Sequence, residues 1–241
     1  MILIFFLFVV EYPTYRSTKL RLIMSSGKII VIEGLDGSGK FTQSRILFNK
    51  LVSQGVNSEI ISMPNYDSES SGPVKMYLNC EISENLWDIN PFASSSFFAV
   101  DRFINYFCSW KKLYENGYTI ICDRYSTSNM IYQLAKLEYK RWDEFLDWIY
   151  EYEYVKLGIP KPDVVVYLRV PVEISQNLMK SRGNSLDLHE SDLRFLESCY
   201  KSANYSSKKF GWKIVDCSRD GKNIDSVESI SEKIFDIVKN T

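Results

Sequence analysis

The sequence predicts an α/β domain of three layers, a five-stranded parallel sheet flanked by helices on both faces. Three observations carry that prediction. Short runs of β-branched and apolar residues alternate with longer stretches at helical spacing. The runs are apolar throughout rather than alternating in polarity, as in strands buried on both faces. The first run passes through a glycine-rich turn directly into a helix: Lys28-Ile-Ile-Val-Ile-Glu33-Gly34-Leu35-Asp36-Gly37-Ser38-Gly39-Lys40.

Each element follows in order. The chain has 241 residues, which suits one α/β domain with a substantial core. Residues 1–24 are expected to form an extension outside the fold, and residues 25–241 the domain. The stretch from Ile2 to Val10 is wholly apolar but nine residues long, too short to span a bilayer. It lacks the basic flank and small-residue cleavage site of a secretory signal. A cytoplasmic location is expected, with organelle targeting by residues 1–23 a weak alternative that Glu11 and the neighbouring aromatics argue against. Within the domain, Lys28–Glu33 reads as the first strand. The helix from Lys40 carries Ile46, Leu47, Lys50 and Leu51 at three- and four-residue spacing. Ser58–Met63 reads as the second strand, ended by Pro64-Asn65-Tyr66, and Asp67–Gly72 as a polar loop. Asn90-Pro91 opens a long helix, about 92–116, with proline well placed at its entry and Gly117 at its end. Tyr118–Cys122 is the third strand, and Ser126–Asn129 leads into another helix. Arg141–Leu157 reads as helical packing, broken by Pro160-Lys161-Pro162. Asp163–Leu168 and Lys213–Cys217 are the fourth and fifth strands, and Val227–Val238 closes the fold as an amphipathic helix.

Composition narrows the function. A net charge of −1 gives no electrostatic reason to expect a nucleic-acid polymer or an anionic membrane as partner. Cys80, Cys108, Cys122, Cys199 and Cys217 are scattered without a C-x-x-C pair, a pattern of buried free thiols in a reducing compartment. The single histidine, His189, excludes multi-histidine metal sites, and its polar surroundings read as a solvated helix start.

The chemistry gathers in four clusters. Gly34-x-x-x-x-Gly39-Lys40 fits the P-loop, so the fold class becomes a three-layer P-loop NTPase fold. The exposed amides and the positive helix end point at an anion, and Lys40 adds a charge that reaches phosphates. The next residue is Phe41 where Ser or Thr is usual, and a phenyl ring cannot ligate Mg²⁺. Thr42 is one position late and points about 100° away on a helix. In the long helix, Phe98 and Arg102 are four apart and share a face. A ring beside a guanidinium suits a planar base, although aromatic stripes are commonly core, as expected of Phe97, Phe103 and Phe107. Asp123-Arg124-Tyr125 lies at a strand's carboxyl end, where open α/β sheets place ligands. Asp123 there suits Mg²⁺ or its waters, and Arg124 suits a phosphate. The alternative is a salt-bridged loop. Lastly, Lys180-Ser181-Arg182-Gly183-Asn184 suits a basic lid that neutralises charge on transferring phosphates, the alternative being a solvated turn.

Together these residues resemble the thymidylate kinase family of P-loop nucleoside monophosphate kinases. The resemblance runs from about Gly27 to the C-terminus, through residues 32–40, Phe98/Arg102, Asp123-Arg124-Tyr125 with Ser128 and Tyr132-Gln133, Pro162-Asp163, and Lys180-Ser181-Arg182-Gly183. It implies an enzyme that moves the γ-phosphoryl of ATP onto dTMP with Mg²⁺. Gly34, Gly37, Ser38, Gly39, Lys40, Phe41 and Thr42 would hold ATP. Asp36 would contact the sugar 3′-hydroxyl or organise the acceptor phosphate, and Arg124 would grip that phosphate. Phe98 would stack on thymine and Arg102 bond its edge, while Ser128, Tyr132 and Gln133 would line the nucleoside pocket. Lys40, Asp123, Arg182 and Lys180 would be the catalytic set. Some members carry an arginine after the P-loop acid; this chain has Gly37, so a lid at about 180–190 is expected to supply the charge. Met63 stands where Phe is common and Asn65 where a charged residue is common, with Asn65 expected to face the pocket. The long aromatic helix suggests a homodimer. Two alternatives stay open: a kinase of another nucleotide or of a deoxynucleoside, and a nucleotide-binding protein that lost catalysis through Phe41.

Overall fold

The computed structural model describes residues 26–181 and 192–241. The extension at 1–24, Arg182, His189 and most of the expected lid therefore lie outside the described residues.

The chain runs β1 (Lys28–Gly34), α1 (Lys40–Ser53), β2 (Ser58–Ser62), α2 (Gly72–Leu78), α3 (Pro91–Asn105), α4 (Lys111–Glu115), β3 (Thr119–Asp123), α5 (Asn129–Tyr132), α6 (Trp142–Ile149), β4 (Val164–Arg169), α7 (Val172–Ser181), α8 (Leu193–Phe210), β5 (Lys213–Asp216) and α9 (Val227–Lys239). The five strands form one parallel sheet in the order β2-β3-β1-β4-β5. From β1 the chain travels outward to β2, returns to β3, then crosses to β4 and β5 on the other side. The direction of travel thus reverses between β1 and β3, and their carboxyl ends open a crevice between them. Ile32 pairs with Asp123 across that seam, which sets the glycine turn beside the Asp123-Arg124 corner.

Alternate side chains of the central strands feed two cores. Ile30, Ile32, Val164, Val166 and Leu168 pack with Leu47 and Leu51 of α1 and Ile230 and Ile234 of α9. Ile29, Val31, Ile120, Cys122 and Tyr167 pack with Ile131, Phe145 and Phe195 on the opposite face. Both faces of the central strands are therefore covered, which is why they lack polar alternation.

Three departures from expectation have identifiable causes. The long helix is α3 and α4 joined by a wider, π-helical turn at Tyr106–Trp110, which lets Tyr106 and Trp110 pack edge-on in the core with centroids 4.7 Å apart. Phe107, expected in the core, is 61% exposed as a result. The helix from Trp142 likewise widens at Tyr150–Lys156. Finally, α2 is an additional helix, and α8 begins at Leu193, just after the stretch around His189 that read as a helix start. Proline opens α2, and α8 is bracketed by Asp192, whose side chain accepts from the Phe195 amide at 3.1 Å, and by Gly211 at φ +67°.

Candidate active site

The glycine turn is built for close approach. Gly37 has φ +78°, and a Cβ there would lie 2.6 Å from the Ser175 carbonyl oxygen of α7. A side chain at this position would collide with α7, which is why the position is glycine. The Ser175 hydroxyl also donates to the Asp36 carbonyl oxygen, so α7 is seated on the turn. Gly39, at φ +86°, caps α1 with a left-handed backbone and turns the first α1 amides toward the loop.

Lys40 is buried, its Nζ donating to the Leu35 carbonyl oxygen at 2.8 Å and lying 3.9 Å from Asp36 Oδ1. Burial, and after it the Arg124 charge, lowers its pKa to about 8, against the pull of Asp36, Asp123 and Glu33. Ser38 is buried in the turn. Phe41 is 58% exposed, with Arg45 stacked 5.5 Å from its ring centroid; Thr42 is exposed beside it. Both side chains are thus open to solvent, whereas Lys40 is buried. Asp123 is 7% exposed, and its Oδ1 finds no hydrogen-bond partner among the described residues. Lys180 is exposed at the end of α7.

Beside the turn, a cleft is lined by Asp36, Phe98, Arg102, Arg124, Ser128, Tyr132 and Gln133, with Met63, Pro64, Tyr66, Leu78, Tyr125 and Asn129 completing the wall. All seven side chains expected on the acceptor side thus converge on one cavity. Its mouth meets the glycine turn at Asp36. Arg124, at φ +68°, donates from Nη2 to Asp36 Oδ1 and from Nη1 to the Tyr132 hydroxyl at 3.3 Å, and Tyr132 donates to Asp36 Oδ2 at 2.8 Å. Burial works against the Arg124 charge, but Asp36, Tyr132, Glu33 and Asp123 together more than offset it, so its pKa is held well above the ordinary value. Burial raises the Tyr132 pKa.

At the far end of the cleft, Arg102 is committed to a buried bidentate pair with Glu153, Nε to Oε2 at 2.6 Å and Nη2 to Oε1 at 3.0 Å. Its Nη1 makes no hydrogen bond among the described residues. Asn129 spends its Nδ2 on Ser95 O at 3.2 Å and Glu153 Oε1 at 3.1 Å, leaving Oδ1 without a hydrogen bond among the described residues. Phe98 forms the adjoining wall, edge-on to Tyr77 with centroids 6.0 Å apart. The cleft therefore offers a flat ring, a donor and an acceptor side by side, which matches the edge of a heterocyclic base.

Three functional residues were not singled out from the sequence. Glu33, fully buried, accepts from Thr127 Oγ1 at 2.7 Å, Ser128 Oγ at 2.8 Å and the Tyr125 amide at 3.3 Å. Ser128 thus both lines the cleft and ties it to β1. Glu153 and Asn129 are the others; the signal for Asn129 was its place one residue after Ser128, whereas Glu153 reaches Arg102 only through the widened turn after α6. Asn65 does not line the cleft as expected. Its backbone N–H donates to Asp101 Oδ2 at 3.0 Å, its side-chain Oδ1 accepts from the Asp67 backbone N–H at 3.2 Å, and Tyr66 takes the place at the wall.

Comparisons with known proteins agree with this geometry. A family model described as thymidylate kinase matches residues 32–228. The probable thymidylate kinase of Caldivirga maquilingensis is 28% identical over 211 residues, covering 87% of this chain and 96% of that one. Human thymidylate kinase is 27% identical over 211 residues, covering 86% and 88%. Among solved structures, thymidylate kinase from Candida albicans aligns with a TM-score of 0.67 at 24% identity, covering 89% of this chain and 92% of that one, a likeness of fold.

Proposed function

The chain belongs to the thymidylate kinase family, and we propose that it transfers the γ-phosphoryl group of ATP to dTMP, giving dTDP and ADP. The observation that carries the reading is the convergence of the seven acceptor-side residues on one cleft that opens onto the glycine turn at Asp36. ATP lies with its phosphates on the amides of Gly34–Thr42 and the Lys40 ammonium. The dTMP phosphate takes the Arg124 guanidinium, its base stacks on Phe98, Arg102 Nη1 donates to a base carbonyl, and Asn129 Oδ1 accepts the ring N–H. Phosphoryl transfer asks little covalent chemistry of the protein, so these groups act by positioning and by neutralising charge.

The family also implies Mg²⁺, and Asp123 fits it: a buried carboxylate oxygen without a protein partner, on the strand beside the glycine turn. Held there, the ion would supply positive charge to offset that of the transferring phosphates. Phe41 has no oxygen to offer it, so on the protein side Asp123 is the residue that would hold it. The lid arginine and lysine, Arg182 and Lys180, are proposed to close over the phosphates in place of an arginine at position 37.

The same proposal includes a cytoplasmic location, supported by five free thiols. Among the described residues no helix is long and apolar enough to cross a membrane. It also includes a homodimer formed through the outer face of α3 and the widened turn after it, where Val100 and Phe107 are exposed; light scattering after gel filtration tests it, and a monomeric mass rejects it.

The deciding experiment is a coupled assay of ADP release with dTMP, dUMP, dCMP and thymidine as acceptors. The expected result is Mg²⁺-dependent turnover with dTMP preferred. Better turnover of thymidine than of dTMP would reject the role given to Arg124.

A further inference from the structure

We infer that Lys136 is a positioning residue that fixes which end of the Gln133 side-chain amide meets the nucleobase, so that the cleft reads a ring carbonyl rather than a ring amino group. The inference rests on the cleft being the base site proposed above.

Gln133 is 1% exposed and lines the cleft with Phe98 and Arg102. Its Oε1 accepts from Ser94 Oγ at 2.6 Å and from Lys136 Nζ at 3.2 Å. Its Nε2 is buried with no partner among the described residues, which leaves a donor for a ligand to satisfy. The two groups that hold Oε1 are not equivalent. A serine hydroxyl can donate to an amide oxygen or accept from an amide nitrogen, so Ser94 tolerates either orientation of the amide. An ammonium can only donate. Turning the amide over would set Nε2–H against the Lys136 N–H groups, so Lys136 alone penalises the flipped state.

Lys136 is held for this task at some cost. Its other contacts are Ser94 Oγ at 3.2 Å and the Tyr77 hydroxyl at 3.4 Å, with Nζ 5.2 Å from the Tyr77 ring centroid. The groups facing it from α2, α3 and the turn after α5 are thus Tyr77, Ser94 and Gln133. Among the described residues no carboxylate touches it, and a partly buried cation without a counter-ion is unfavourable. Burial lowers its pKa to about 7. Once deprotonated, the amine gains a lone pair and can accept from Nε2, so the discrimination should relax as pH rises through that value.

The test uses the full chain with ATP and Mg²⁺, and dTMP, dCMP and 2-thio-dTMP as acceptors. 2-Thio-dTMP replaces one ring carbonyl by a weakly accepting sulfur; dCMP replaces the other by an amino group and also lacks the ring N3–H and the 5-methyl. Lys136→Met should cut the preference for dTMP over at least one analogue about tenfold, the worth of one buried hydrogen bond, with the loss in KM rather than kcat. Lys136→Arg, still donor only, should keep the wild-type preference. If Lys136→Met keeps both preferences within about twofold while Gln133→Leu loses one, the clamp is refuted and base reading by Gln133 stands. If Gln133→Leu also changes nothing, the inference is refuted while dTMP turnover still supports the kinase. Should Lys136→Met fail to fold by circular dichroism, the wild-type preference measured from about pH 6 to 8.5 decides: a fall through neutrality supports the inference and a flat profile overturns it. Absence of dTMP turnover by the wild type would overturn the kinase reading itself, and the inference with it.

Discussion

Replacing Glu153 by Gln tests how the base end of the cleft is held together. Glu153 is fully buried and Arg102 is 3% exposed. Their two hydrogen bonds are 2.6 and 3.0 Å, and Asn129 adds a third to the same carboxylate at 3.1 Å. Burial works against the Arg102 charge, yet Glu153 more than makes up for it, so the guanidinium is held above its ordinary pKa. Removing one charge of such a pair leaves the other uncompensated, at a cost of about 3–5 kcal/mol. For a domain of this size each kcal/mol moves the melting midpoint by about 2–4 °C, so the fall should be roughly 6–20 °C in a circular-dichroism melt at neutral pH. The KM for dTMP should rise about tenfold or more as Arg102 and Asn129 lose their common anchor. The double variant Arg102→Met, Glu153→Leu should recover most of the stability, because a well-packed apolar pair replaces a buried ion pair at little cost. It should not recover dTMP binding. A Glu153→Gln variant melting within about 2 °C of wild type, with unchanged KM, would refute the reasoning.

Three other outcomes are expected. Only the ammonium form of Lys40 attracts phosphates, and its pKa in the ligand-free chain is about 8; ATP affinity measured by calorimetry should be flat below that pH and weaken by up to about tenfold per unit above it. Lys40→Met should bind weakly at every pH. Gly37→Ala meets both a left-handed backbone and the Ser175 carbonyl oxygen at 2.6 Å, so it should cost about 1–3 kcal/mol and weaken ATP binding; an unchanged melting curve would show that α7 does not sit on the turn. Phe41→Ser restores a hydroxyl where P-loops place one, and should tighten Mn²⁺ in the ADP complex roughly three- to tenfold by electron paramagnetic resonance titration.

The strands and the phosphate turn were legible because both rest on local rules: unbroken apolar runs for strands covered on both faces, and glycines where the backbone is left-handed. The pairing of Phe98 with Arg102 was legible from four-residue spacing alone. What escaped depends on contacts across the fold. Glu153 sits in a stretch that reads as an ordinary amphipathic helix, and only the widened turn at Tyr150–Lys156 rotates it inward; a period of 3.6 residues gives no warning of that shift. Phe107 was misplaced for the same reason, since the turn at Tyr106–Trp110 changes which face meets the core. Glu33 read as the polar end of a strand. Its function appears only when β3 is laid beside β1 and three donors from the following corner close on it.

That arrangement has a mechanical consequence. Glu33 ties the acceptor corner to the end of β1 on one side of the turn, and Ser175 ties α7 to Asp36 on the other. The cradle for one nucleotide and the corner that grips the other are therefore parts of one body, and the distance between them is set by the sheet rather than by a hinge. Between them stand two cations, Lys40 and Arg124, whose mutual repulsion lowers the Lys40 pKa. Asp36 lies between the two, bonded to Arg124 and Tyr132 and 3.9 Å from Lys40. Glu33 and Asp123 also bear on both cations, so the ligand-free site already balances its positive charge. Of the three carboxylates, Asp36 is the one that hydrogen-bonds to Arg124 among the described residues. A phosphate that takes the Arg124 guanidinium therefore competes with Asp36 for it, while the sheet keeps the two phosphate positions at a fixed spacing.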